Sequence, residues 1–475
     1  MLDWEKLLSK QRRKPKKHSD DAENNTDQPA KLQDTRTELE RDHDRILFAA
    51  PTRRLADKTQ VFPLERNDSV RTRLTHSHEV SNLSRSLGIT LAFDTEIIPK
   101  NLIPSRNIPA LLAAIGLAHD LGNPPFGHQG EKAIQTWFND NKSIFKGPEL
   151  TDAMRNDFLK FEGNAQTIRL LTRLQLTNDD YGLNLTYATL SALMKYPTPS
   201  DSIDETRVAS KKHGYFQSEK EIVADVWKTT GLNQGVRHPL VYLMEACDDI
   251  AYAVLDAEDA VKKGLVSFSD LTSYLQHYGN NDISIANVLS QACKKHKEYR
   301  QEQLSPAELN DISMQMFRVY AIGQMINDVK LAFLENSDEI MSGNFQLPLL
   351  EKSNSHILCK TLKSFDKEHA YVHRTVLEVE LTGYNTIRGL MDILWNGITE
   401  RSNFEDVDSR RKTPYAAYAY NRISENYRRI FKTQNNGMPI RYREAQLLTD
   451  MISGMTDTYA VELLKELVDL KPNAS

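Results

Sequence analysis

PALLAAIGLAHDL, residues 109–121, decides the fold. It is apolar nearly all round, the pattern of a central helix buried on every side. It ends on His119–Asp120, an imidazole and a carboxylate that are costly to bury unless a partner or a metal satisfies them. Outward from it, apolar positions recur at three- and four-residue spacing over 163–175, 238–263, 314–335 and 440–468. Pro239 stands at one helix start, and Gly264 follows Lys262–Lys263 at the matching stop. Strand patterns are few and short: GLNLTY at 182–187 and the run 371–379. The expected fold is all-α, with at most one small β-hairpin.

A chain of 475 residues that is 40% hydrophobic holds enough apolar material for one large core or two joined ones. A formal charge of −5 recruits neither nucleic acid nor anionic membrane in bulk, so a polyanionic substrate needs a locally basic pocket. Three cysteines without a CxxC exclude a disulfide scaffold and a thiolate zinc cage. The N-terminus lacks the apolar stretch of a signal peptide, and the apolar run Ile108–Ala118 is too short to span a bilayer, so a cytoplasmic protein is expected. Residues 1–40 read as a disordered polar tail. Its basic cluster Lys10–Lys17 reads as solvated rather than as a nucleic-acid contact. Residues 41–270 carry the chemically informative motifs, and 271–475 form a helical C-terminal region. The polar stretches 196–220 and 400–412 read as loops.

A bare His-Asp pair is weak, and most simply a capped helix end; His43–Asp44 is a second copy in a polar segment. The residues just after Asp120 change the reading. Gly and Pro in LGNPPFG (121–127) end the helix and force a tight turn, so the chain re-enters near where it left. His128 and Glu131 then lie three apart at the start of the next helix, where the carboxylate can orient the imidazole. Upstream, RTRLTHSHE (71–79) offers His76, which with His119 and Asp120 makes a ligand set of two imidazoles and a carboxylate for one divalent ion. His78, two residues on, points elsewhere and reads as surface. Arg73, a turn before His76, can reach phosphate oxygens. Downstream, Asp248, Tyr252 and Asp256 fall at i, i+4 and i+8, one polar stripe on an apolar helix. Asp249 is the rival ligand, but only Asp248 shares that stripe. Together these read as a hydrolytic metal site.

The sequence resembles the bacterial deoxyguanosine triphosphate triphosphohydrolase family of the HD superfamily. The resemblance rests on RRLADKTQVFPLERNDSVRTRLTHS (53–77), AHDLGNPPFGHQGE (118–131), FEGNAQTIRLL (161–171), YLMEACDDIAYAVLDAEDA (242–260) and ISGMTDTYA (452–460). It implies an HD-domain helical fold over 41–270, with 271–475 completing the nucleotide pocket and supplying oligomer contacts. It implies His76, His119, Asp120 and Asp248 as metal ligands and His128, supported by Glu131, as the catalytic pair. It places Gln60 and Val61 against sugar and base, and Arg73, Lys195 and Lys212 on the phosphates. Tyr252 and Asp256 would meet the deoxyribose, and Asn164 with Gln166 would line the pocket. The implied reaction is attack of water at the α-phosphorus of a dNTP, releasing deoxynucleoside and tripolyphosphate. Tyrosine against C2′ would exclude ribonucleotides.

Guanine-selecting groups are expected in the C-terminal third, in 420–431 or 441–443, without assignment. The resemblance also implies a ring-like homo-oligomer, with a hexamer as one size, and admits a nucleotide activator or single-stranded DNA as further partners. The ion is open among manganese, magnesium, iron and cobalt, since the same nitrogen and oxygen ligands accept all four. Two other readings compete: another HD-domain phosphohydrolase (a 5′-nucleotidase or phosphodiesterase), and a non-catalytic HD protein that binds nucleotide or single-stranded DNA. The first does not require Gln60, Arg73, Tyr252 and Asp256 together, and the second is disfavoured because no expected ligand is missing.

Overall fold

The apolar run forms helix Pro104–Ala118, and Leu111, Leu112, Ala114, Ile115, Leu117 and Ala118 in it are wholly buried. Pro104 opens it, where a missing N–H costs nothing. A computed structural model describes residues 1–14, 34–62, 70–175, 181–279, 281–433 and 437–472. The helices that build the site are α1 (Arg73–Asp94), α2 (Pro104–Ala118), α3 (Gly127–Asp140), α4 (Gly163–Arg169), α5 (Pro239–Lys262), α6 (His356–Phe365), α7 (Arg374–Thr399), α8 (Ile440–Ser453) and α9 (Asp457–Asp469). Helix α1 lies close along α2, because Gly116 has no side chain: a Cβ there would stand 2.9 Å from Ser81 Cα.

One apolar core runs from Trp4 to Leu467, so the C-terminal helices share it with the central pair. The expected helix over 440–468 is two helices, parted at Gly454–Thr456, and 163–175 ends in a π-helical turn, Leu170–Leu174. No helix among the described residues is long and apolar enough to cross a membrane.

The all-α expectation holds, and two short strand readings change. No sheet or hairpin forms among the described residues, which show only isolated bridges such as Arg12 with Thr186. In 182–187 the Thr186 N–H and hydroxyl both donate to Asp42 Oδ2, at 2.9 and 2.6 Å, while the hydroxyl oxygen accepts from Thr189 N–H to cap helix Tyr187–Leu193. The backbone there is satisfied locally and needs no strand partner. From Arg374 the second run is helical, its short strand-like pattern overridden by a 26-residue helix.

The N-terminal tail is also ordered over residues 1–14. Trp4, Leu7 and Leu8 are buried, and Trp4 meets the His238 ring edge-on at 6.4 Å. Arg12 pairs with Asp42 at 2.6 Å and Glu38 at 2.8 Å. The polar average over 1–40 masked this short apolar anchor. Residues 15–33, with the end of the Lys10–Lys17 cluster, lie outside the described residues.

Gly122 marks where the turn after Asp120 meets α4: a Cβ there would fall 2.3 Å from both Gly163 O and Thr167 N. Gly122→Ala should therefore destabilise the protein by about 1–3 kcal/mol, since overpacked sites shift backbone. A urea midpoint equal to that of the unsubstituted protein would contradict the close approach.

Candidate active site

Helix α1 begins at Arg73 behind a Thr72–Thr75 capping box, which sets its phase and turns His76 inward. The end of α2 delivers His119–Asp120, and the middle of α5 delivers Asp248. His76 Nε2 lies 3.2 Å from Asp248 Oδ1, and His119 Nε2 lies 3.4 Å from the same oxygen and 3.5 Å from Asp120 Oδ1. His119 Nδ1 donates to Gly116 O at 2.6 Å, which turns Nε2 toward the carboxylates. That Nε2 is buried and has no hydrogen-bond partner. Burial opposes charge on His119, but Asp120 and Asp248 outweigh it and push the imidazole up to about 9. A divalent cation would compete for that same nitrogen. Among the described residues, His76, His119 and Asp248 are the group whose ligand atoms all lie within 4.8 Å of one another. This donor set suits a divalent metal.

Asp120 adjoins this trio but is turned: Oδ1 accepts from Asn123 Nδ2 at 2.8 Å, and Oδ2 is ion-paired with Arg73. Arg73 also donates from Nε to Thr59 O at 2.9 Å and is buried. It borders the cleft with Nε and Nη1 engaged by protein, which holds the guanidinium in place while Nη2 stays on the cleft side. Lys195 Nζ lies 3.7 Å from Asp248 and 3.5 Å from Glu245. His78 is on the surface, as read.

These groups open on a cleft of about 530 Å³. Gln60, Val61, Asn164, Lys212 and Tyr252 border it with His119, Asp248, Asp120 and Lys195, while His76 is buried behind them. Gln60 Oε1 is buried with no partner, an acceptor left for a ligand. His128 is open to the cleft at the start of α3, after a turn in which Phe126 (φ 61°) and Gly127 (φ 54°) are both left-handed. For a bulky phenylalanine that conformation is costly and marks a turn held by its surroundings. His128 Nδ1 is 3.4 Å from Glu131 Oε2, a bond that raises the imidazole pKa. Glu131 Oε1 accepts from Gly163 N–H at 2.7 Å, and Lys212 Nζ donates to Glu162 at 2.9 Å. Burial and the Glu131 charge push Glu162 up to about 7, while the neighbouring His128 outweighs burial at Glu131 and lowers it. Paired carboxyls with divergent pKa values are a usual mark of proton-handling sites.

Two expected residues stand back from the cleft. Asp256 is buried behind Tyr371, whose hydroxyl donates to its Oδ2 at 2.6 Å. Gln166 faces away and donates to Asp450 at 3.0 Å. The segments 420–431 and 441–443, expected to read the base, do not border the cleft. Its far wall comes from α6, α7 and the turn between them: Lys363, Tyr371, Val376 and Glu380. Val376 and Glu380 are four apart, one helical face, a signal hidden by reading 371–379 as a strand. Nothing local pointed to Lys363, whose Nζ donates to Asp249 Oδ1 at 2.6 Å.

The chain matches the HD domain over residues 73–179. It is 36% identical to a deoxyguanosinetriphosphate triphosphohydrolase-like protein of Listeria monocytogenes, over 98% of this chain and 99% of the relative. A protein of the same description from Pseudomonas aeruginosa is 32% identical over 98% of each chain. The deoxyguanosinetriphosphate triphosphohydrolase of Serratia proteamaculans is 33% identical over 91% of this chain and 94% of its own. With a His-His-Asp trio at the cleft, an oriented histidine beside it and similarity along nearly its whole length, the chain belongs to the deoxyguanosinetriphosphate triphosphohydrolase-like family of HD-domain proteins.

Proposed function

We propose that the protein is a metal-dependent triphosphohydrolase that converts dGTP, or a group of dNTPs, to deoxynucleoside and tripolyphosphate by attack of water at the α-phosphorus. The observation that carries this reading is that His119 and Asp248, with His76 closing the trio behind them, share one cleft with His128–Glu131, Lys195 and Lys212. A divalent ion held by the trio, with Asp120 beside it, would supply Lewis acidity at the phosphoryl group and a more acidic water. His128, oriented by Glu131, moves a proton at the reacting oxygens. Lys195 and Lys212 neutralise the polyphosphate. Tyr252 and Tyr371, with ring centroids 6.1 Å apart, form the sugar end, and Asp256 acts there through the Tyr371 hydroxyl.

The test is to incubate the manganese-loaded protein with each dNTP, singly and mixed, and to identify products chromatographically. Tripolyphosphate with deoxyguanosine is expected; orthophosphate, or action on dGMP, would instead indicate a nucleotidase. In the same assay Tyr252→Ala should lower the preference for dGTP over GTP by about tenfold, as for a pocket that rejects a hydroxyl by shape. Unchanged preference would place the sugar elsewhere.

A further inference from the structure

Three segments far apart in the chain meet beneath the metal corner: Asp57–Thr59, Asn123–Phe126 and Ser453–Thr458. Asp457, 2% exposed, is their hub. Its Oδ2 accepts from the Thr59 N–H at 3.0 Å and from the Thr59 hydroxyl, and its Oδ1 accepts from the Phe126 N–H at 3.0 Å. Beside it Lys58, 4% exposed, donates Nζ to Asn123 O at 2.6 Å and Ser453 O at 2.7 Å. Thr458 closes the rim by donating to Asp57 at 2.8 Å.

Each backbone held here leads straight into the cleft. Thr59 precedes Gln60 and Val61, Phe126 precedes Gly127 and His128, and the Asn123 side chain holds Asp120. A buried aspartate at a helix start is often only a cap for that helix. Here Thr456 already caps α9 by accepting from Tyr459 N–H, and both Asp457 oxygens go to other segments. Asp457 also lies far outside residues 73–179, so the matched HD segment does not contain it.

We infer that Asp457 is a positioning residue: it sets the gap between the Gln60 segment and the His128 turn, and so the aim of His128 at the reacting phosphoryl group. This rests on the proposed function. It makes the C-terminal helix pair part of the catalytic unit. The left-handed Phe126 is the strained element that the clamp holds in place.

Asp457→Asn keeps the shape and one acceptor oxygen but loses the second. It should lower kcat by about 10–100-fold, as small misplacements of catalytic groups do. KM should stay within about threefold, because substrate binding groups are retained. Manganese affinity, read by calorimetry, should not change. Hydrogen exchange followed by mass spectrometry should quicken in peptides covering 57–61 and 121–131. Thr59→Val, which removes only the hydroxyl bond, should lower kcat less, and the double variant should be no worse than Asp457→Asn alone. Unaltered exchange, unaltered kcat, or a loss explained by metal affinity or folded fraction would each overturn the inference. If the unsubstituted protein hydrolyses no dNTP, the proposed function fails, while the exchange result still decides whether the clamp exists.

Discussion

Asp248→Ala should abolish divalent-ion binding and lower hydrolysis at least about 10³-fold, since the metal supplies both charge stabilisation and the activated water. Among the described residues, Asp248 Oδ1 is the carboxylate oxygen that faces both imidazoles, at 3.2 and 3.4 Å. Asp120 cannot simply replace it, because its oxygens are engaged by Arg73 and Asn123. The substitution also removes the Lys195–Asp248 pairing and leaves Lys195 held by Glu245 alone. Manganese titration by calorimetry and product release should fail together, with the circular dichroism of the folded chain retained. A variant that binds manganese as tightly as the unsubstituted protein would remove Asp248 from the ligand set. Asp120→Ala is expected to impair the same two readouts.

His128→Asn should separate those readouts. Metal binding should be retained while kcat falls by about 10²–10⁴-fold, the usual worth of a positioned acid or base. The Glu131 partner gives this a signed pH test. The Glu131 bond stabilises the imidazolium and raises the His128 pKa. Glu131→Gln removes that stabilisation, so His128 loses its proton at lower pH. The limb of the kcat/KM profile governed by His128 should therefore move toward acid, whether His128 acts as acid or base. If it acts as an acid, the variant loses activity earlier as pH rises; if as a base, it gains activity earlier. A limb that stays in place would detach Glu131 from His128.

Local chemistry and periodicity were enough to read the α-helical class, the buried helix ending in His119–Asp120, the tight turn after it and the His128–Glu131 pair. Each is a relation among residues close in the chain, and helix geometry or the stiffness of Gly and Pro converts such spacing directly into position. The stripe on α5 shows where that conversion stops. Asp248, Tyr252 and Asp256 do share a face, but eight residues of helix advance about 12 Å. Asp248 therefore reaches the metal corner while Asp256 passes behind Tyr371.

Tertiary structure alone decided the rest. It committed Arg73 to Asp120, brought Lys363, Tyr371 and Glu380 to the far wall, and ran Asp457 beneath the His128 turn. It also anchored Trp4 and Leu7 in a segment whose average composition looks disordered. These are contacts between distant segments, selected by how whole helices pack and where buried charges find partners. A carboxylate's neighbours in space cannot be read from its neighbours in the chain.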